Sequence, residues 1–284
     1  MNTDSERAGV WPFYRAGYVN ALLCGRLEDG SELVVMAGEH GRNYPFLHPR
    51  SRWDDLLMVA GECRLLAAGR RLPPLTLVLR DDGSALLVYR GLAATAGGAL
   101  VDVDLELRLS AHLVRPRWEG IGRGPLLLGL RWQPALVRGT GTLALDGARR
   151  RVEAVSGEME RGSLRNLRWR GFRVAWDYLA ATRPGPDAAA HVAFRSYPLA
   201  RGPAGLLLRA LLLLAGAREN LTIAEGRTES GDARGLAPAP GEAVEPWVES
   251  VVNLGPARLV RQLARIGPPG RHRWALLERF VPGR

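Results

Sequence analysis

The chain has 284 residues, enough for one large domain or two ordinary ones, each able to bury a core. Apolar residues make up 46% and charged residues 24%, which excludes an intrinsically disordered chain. The formal charge of +10 invites a nucleic-acid partner, but all 39 basic residues are arginines scattered along the chain, so none is expected.

Taken in order, the polar stretch 1–7 shows no apolar signal segment, and the expectation is a cytoplasmic protein. Tyr18–Leu27 runs through Glu28-Asp29-Gly30-Ser31 into Glu32–Ala37, a hairpin with a glycine-bearing turn. Cys24 and Cys63 lie in apolar strand-like stretches without CxxC spacing, so both read as small buried hydrophobes in a reducing compartment. Leu75–Leu79 turns at Asp81-Asp82-Gly83-Ser84 into Ala85–Tyr89, and Thr140–Leu145 turns at Asp146-Gly147 into Arg150–Val155. Between them, Val101, Val103, Leu105, Leu107 and Leu109 alternate with Asp102, Asp104, Glu106 and Arg108, which makes Leu100–Leu113 a half-buried strand. Three hairpins with Asp-Gly turns and no strand–helix alternation point to an antiparallel sheet and against a doubly wound parallel one.

The second half offers strands at 172–181, 191–196, 221–225, 244–254 and 274–280. Leu206–Leu214 fits a strand or a helix. Pro256–Ile266 carries Leu259, Val260, Leu263 and Ile266 at helical spacing, so a short amphipathic helix is expected there. The longest apolar run, Ala204–Ala217, is broken by Arg209 and is shorter than the roughly 20 residues of a membrane span. The Pro- and Gly-rich segment at 183–187 divides the chain into expected domains 1–183 and 184–284. The fold class is all-β, with short helices.

Several familiar chemistries are absent from the sequence. Gly120–Gly124 lacks the third fingerprint glycine and the Lys-Ser/Thr of a phosphate loop, so it reads as a turn or bulge. The five histidines are neither spaced for zinc nor next to a cysteine, so no metal is expected. No Gly-x-Ser-x-Gly elbow marks a serine hydrolase. The stretch 155–179 is the informative one. Glu158 and Glu160 lie at i, i+2 and share one strand face; Arg161, Trp169, Trp176, Asp177 and Tyr178 follow. Either this is a solvated hairpin with a surface Arg–Glu pair, or it is a cavity wall. In an apolar cavity a carboxylic acid keeps its proton and can donate it, while tryptophans stack on polyene carbons or stabilise a cation. Glu39 and His40 form an acid–base pair if they point inward, and otherwise part of a barrel-end loop with Tyr44. Trp118 and Trp132 have the character of rim residues.

The hairpin Gly-Thr-Gly-Thr-Leu-x-Leu-Asp-Gly at 139–147, Gly-Glu-x-Glu at 157–160 and Trp-x-Gly-Phe-x-x-x-Trp-Asp at 169–177 together resemble the carotenoid hydratase and AttH-like family. The resemblance implies two consecutive lipocalin-like antiparallel barrels or half-barrels with a cavity at their junction. It also implies hydration, isomerisation or Diels–Alder-type cyclisation of apolar polyenes without a redox cofactor. Ser163–Leu167 stands where the family pattern carries His-x-Trp-Gly, which leaves cyclase and binding roles open beside hydration. The expected function is cofactor-free cyclisation of an apolar polyene or polyketide intermediate, with hydration or isomerisation and non-catalytic carriage as alternatives. Glu158, Glu160, Tyr178 and Asp177 are the expected catalytic groups. Trp169, Trp176, Arg161, Glu39, His40, Tyr44, Trp118 and Trp132 are the expected substrate contacts.

Overall fold

A computed structural model describes residues 18–40, 53–69, 75–114, 129–165, 174–185, 189–198, 203, 206–207, 210, 218–224, 227–230, 234–254, 257–268 and 270–282. Most of them lie in antiparallel strands. The first nine are β1 (Tyr18–Leu27), β2 (Glu32–His40), β3 (Trp53–Ala60), β4 (Cys63–Gly69), β5 (Thr76–Leu79), β6 (Ser84–Thr95), β7 (Leu100–Leu113), β8 (Gly129–Leu145) and β9 (Ala148–Arg165). They form one sheet in the order β4-β3-β2-β1-β9-β8-β7-β6-β5. The far end of β6 also pairs with β4, Leu65 opposite Thr95, and this contact closes the sheet into a barrel. β5 pairs with the other end of β6 and packs against β1, β2 and β9.

The three Asp-Gly hairpins form as their sequences require. Gly30 and Gly83 both adopt φ 81, and the β8–β9 turn places Asp146 at φ 46 and Gly147 at φ 80, the left-handed pair of a tight hairpin. The β3–β4 hairpin turns at Gly61-Glu62 instead, without an Asp-Gly signal. Inside the barrel, Leu23, Val35, Leu56, Met58, Leu87, Leu105, Leu107, Val137 and Met159 pack one continuous core. The interior is therefore filled by side chains.

The second sheet holds β10 (Val174–Thr182), β11 (Ala189–Pro198), β12 (Arg218–Ala224), β13 (Arg227–Ser230), β14 (Val244–Leu254), β15 (Ala257–Ile266) and β16 (Arg273–Pro282). Its order is β13-β12-β11-β10-β16-β15-β14, open among the described residues, which makes it a half-barrel beside a closed one. The change of sheet falls between Arg165 and Val174, one strand before the expected break at 183/184. β10 and β11 on either side of that proline-rich segment pair antiparallel in the same sheet, Thr182 opposite Ala190.

A correction concerns 257–266, expected as a helix and found as β15. Its odd positions Leu259, Arg261 and Leu263 are all buried, and the charge at 261 breaks the apolar alternation that would have marked a strand. Helical backbone occurs at 203 and, inside the stretch that fitted either period, at 206, 207 and 210. Cys24 is buried as expected; Cys63 is exposed at the start of β4.

Strand alternation gives the barrel wall a second apolar face, because residues i and i+1 point opposite ways. On that outer face, Leu22, Met36, Leu57 and Leu136 pack against Ala180, Val192, Leu263, Trp274 and Leu276 of the second sheet. Burying each leucine contributes about 1.5–3 kcal/mol relative to exposure. The two sheets thus meet across a dry seam, and the polar site lies at one end of it.

Candidate functional site

Strand register assembles the site from two facing rows. On the barrel wall, Glu160 of β9 lies opposite Asn20 of β1, Asn20 opposite Gly38 of β2, and Gly38 opposite Asp55 of β3. On the second sheet, Tyr178 of β10 lies opposite Glu278 of β16, Glu278 opposite Arg261 of β15, and Arg261 opposite Ser250 of β14. Glu158 sits one step along β9, on the same face as Glu160. Asn20, Asp55, Glu158, Glu160, Ser250, Arg261 and Glu278 are all buried.

The rows are joined by hydrogen bonds. The Tyr178 hydroxyl donates to Glu160 Oε2 at 3.0 Å, and Asn20 Nδ2 donates to Glu160 Oε1 at 3.1 Å. Arg261 Nη2 donates to Asn20 Oδ1 at 2.9 Å, Nη1 pairs with Asp55, and Nε lies 3.1 Å from Glu278 Oε2. One guanidinium therefore joins the two sheets through two carboxyl groups and an amide, and through that amide reaches Glu160, in a buried environment where charged hydrogen bonds are strong and unpaired charge is costly.

That imbalance decides protonation. Glu158 lies between Leu22 and Leu136 on the neighbouring strands, and its Oε1 has no hydrogen-bond partner among the described residues. Burial, and then the charge of Glu160, push the Glu158 carboxyl well above the usual carboxylate range. Asp55 is raised too, by burial first, with Arg261 pulling the other way. Loss of water, the charges of Glu158 and Glu160, and its own hydrogen bond push the Tyr178 phenol well up, so it stays neutral and donates. Tyr18, whose ring lies over Gly162, and Tyr178 pack against the apolar seam and are two of its partly accessible members.

Of the expected catalytic residues, Glu158, Glu160 and Tyr178 come together. Asp177 does not. It follows the opposite parity of β10 and pairs with Arg279 at 2.9 Å on the exposed side. Among the expected substrate contacts, Arg161 and Glu39 face the barrel interior, again by alternation. Arg161 Nη1 donates to the Leu79 carbonyl at 2.9 Å and its other nitrogen pairs with Asp81, while Glu39 accepts the Leu77 amide at 3.5 Å, so both grip β5. His40, Trp132 and Trp176 lie on β2, β8 and β10, but their side chains are outside the described residues, as are Tyr44, Trp118 and Trp169 altogether.

Sequence reasoning missed Asn20, Asp55, Arg261 and Glu278. The signal available was a polar residue at buried parity inside an otherwise apolar strand. Among the described residues no helix is long and apolar enough to cross a membrane.

A closed antiparallel barrel with an open sheet laid on its wall is a lipocalin-like architecture, here with a buried carboxyl cluster at the seam. No family model matches the sequence, and no curated protein does. Solved structures with similarity include an AttH-like protein of Nitrosomonas europaea, at TM-score 0.46 and 10% identity over 94% of this chain and 91% of that one. Kievitone hydratase of Nectria haematococca aligns at TM-score 0.41 and 9% identity, covering 94% of this chain and 88% of that one. CghA aligns at 0.34 and 13%, with the same coverage of 94% and 88%. These are proteins of the kind that residues 139–178 resemble. Alignments at this level assign neither substrate nor reaction to this chain.

Proposed function

We propose that this protein is a cofactor-free acid catalyst that closes a ring in an apolar polyene or polyketide intermediate at the seam between its two sheets. The observation that carries the reading is Glu158: a buried carboxyl with an unpartnered oxygen, raised well above its ordinary range, beside a second carboxyl held by two donors. Burial of this kind favours the neutral, proton-bearing form of the acid. The acid donates its proton, or a hydrogen bond, to a substrate carbonyl oxygen and takes the proton back once the new bonds have formed. Tyr18 and Tyr178 offer aromatic surface at the accessible edge. Folding a floppy chain against such a wall lowers a barrier by up to roughly 7–11 kcal/mol in the best cases. Polarising its carbonyl adds to this.

The same acid supports a second reading, protonation of a double bond followed by isomerisation or hydration. A carrier has no use for converging carboxyl groups, and the cluster argues against that alternative.

The test is incubation with linear polyenes bearing a conjugated carbonyl, with products read by mass spectrometry and NMR. Ring closure gives a product of unchanged mass carrying new ring carbons, and Glu158→Gln slows its formation by roughly 10²–10⁴-fold, the usual weight of a positioned acid. Addition of one water selects the hydratase reading. Substrates recovered unchanged, or turnover indifferent to both Glu158→Gln and Tyr178→Phe, overturn the assignment.

A further inference from the structure

Arg261 occupies the middle of β15 with no exposed surface, and its contacts run to the barrel wall rather than along its own sheet alone. Its guanidinium carries only donors, so whatever faces it must accept. Asn20 therefore turns its amide oxygen to Arg261, at 2.9 Å, and by the same geometry turns its NH2 to Glu160, at 3.1 Å. An amide NH2 cannot reverse its role. Glu160 Oε1 is held as an acceptor, its other oxygen receives the Tyr178 hydroxyl, and both contacts suit the carboxylate form. Glu158 shares the face but has leucines across both strand pairings and an oxygen without a partner among the described residues.

We infer that Arg261 decides which of the two β9 carboxyls holds the proton: it locks the Asn20 amide, the locked amide holds Glu160 as the carboxylate, and Glu158 is left as the acid. Arg261 is thus a positioning residue that acts through Asn20. The inference deepens the assignment of Glu158 as proton donor and rests on that reading for its functional meaning. Among the described residues, the charged and titratable groups around the pair and its relay are Tyr18 on β1, Asp55 on β3, Tyr178 on β10, Arg261 on β15 and Glu278 on β16, with Asp55 and Glu278 set against Arg261. Arg261 touches Asp55 and Glu278 directly. It reaches Glu160 through one intermediate side chain, and that side chain is the point at which the relay can be cut without changing charge.

The experiment is a pH titration by NMR of protein labelled with 13C at the glutamate side-chain carboxyls, the two resonances being assigned from Glu158→Gln and Glu160→Gln. In the unaltered protein, at a pH where the pair holds one proton, Glu158 shows the protonated shift and Glu160 the ionised one. Asn20→Leu removes the donor to Glu160 without altering charge, and Arg261→Gln frees the amide to rotate. Each is expected to move the proton population toward Glu160 by about tenfold, one pH unit in the relative affinities of the two groups. Arg261→Lys retains the charge without the fork and falls between. Arg261→Gln strips the buried acids of their cation; if it does not fold, Asn20→Leu decides alone, since Arg261 keeps Asp55 and Glu278 as partners. A proton that stays on Glu158 in the folded variants, or that rests on Glu160 from the outset, overturns the inference. No substrate enters this measurement, so the relay and the proposed reaction fail independently.

Discussion

Replacing Glu158 by glutamine has a consequence for stability that depends on pH and has a fixed sign. Glu158 is fully buried in the fold and its carboxyl titrates well above the ordinary range, whereas in the unfolded chain it titrates near 4.3. Below that value both states hold the proton and the group is silent. Above it the unfolded chain releases its proton first, while the folded protein keeps one, so unfolding is favoured as pH rises. The slope is about 1.4 kcal/mol per pH unit, and it persists until the folded carboxyl ionises. Asp55, also raised by burial, adds to the loss in the same direction. Glutamine has no proton to release and nearly the same shape, so Glu158→Gln is expected to match the parent at pH 4 and to gain about 1.4 kcal/mol on it for each unit above about 5. Urea unfolding followed by circular dichroism at half-unit steps from pH 4 to 8 measures the difference directly. Two stability curves that run parallel across that range would refute the reasoning, because they would mean that Glu158 ionises alike in both states.

Other substitutions probe the rest of the site. Arg261→Met leaves Asp55 and Glu278 buried without their cation and is expected to cost about 3–5 kcal/mol in chemical denaturation; a loss under 1 kcal/mol would show that the acids are met in another way. Tyr178→Phe removes one donor to Glu160 and is expected to cost about 1–3 kcal/mol and to slow turnover. Gly162→Ala would place a methyl 2.5 Å from the Tyr18 ring, so the ring must move, and a loss of about 1–3 kcal/mol with altered turnover is expected. Asp177→Asn breaks an exposed ion pair and should leave stability within about 0.5 kcal/mol and turnover unchanged.

Much of this was legible in the residues. Period-two alternation and Asp-Gly turns announce the barrel hairpins, and i, i+2 spacing by itself puts Glu158 and Glu160 on one strand face. The same alternation sends Arg161 and Asp177 away from Glu160 and Tyr178, their immediate neighbours; adjacency in sequence is a poor guide to adjacency in a sheet. Asn20 and Asp55 carried only the mark of a polar residue in an apolar strand, which is easily passed over because nothing local says that the outer wall of a filled barrel is covered by a second sheet. Arg261 hid itself. A charge at the centre of a buried face makes β15 look helical, and the departure from pattern marks the residue that joins the two halves.

The contacts of the site are also distant along the chain. The hydrogen bond from Asn20 to Glu160 spans 140 residues, and that from Arg261 to Asn20 spans 241. During synthesis the barrel strands are complete at Arg165, well before β15 exists, so Leu22, Met36 and Leu57 wait with an apolar wall uncovered. Such a wall is sticky, and a newly made barrel would draw on chaperones or precipitate until the second sheet docks. Because Glu158 and Glu160 lie on the wall that the second sheet covers, the proposed activity would require that docking, and a closed barrel without it would not suffice.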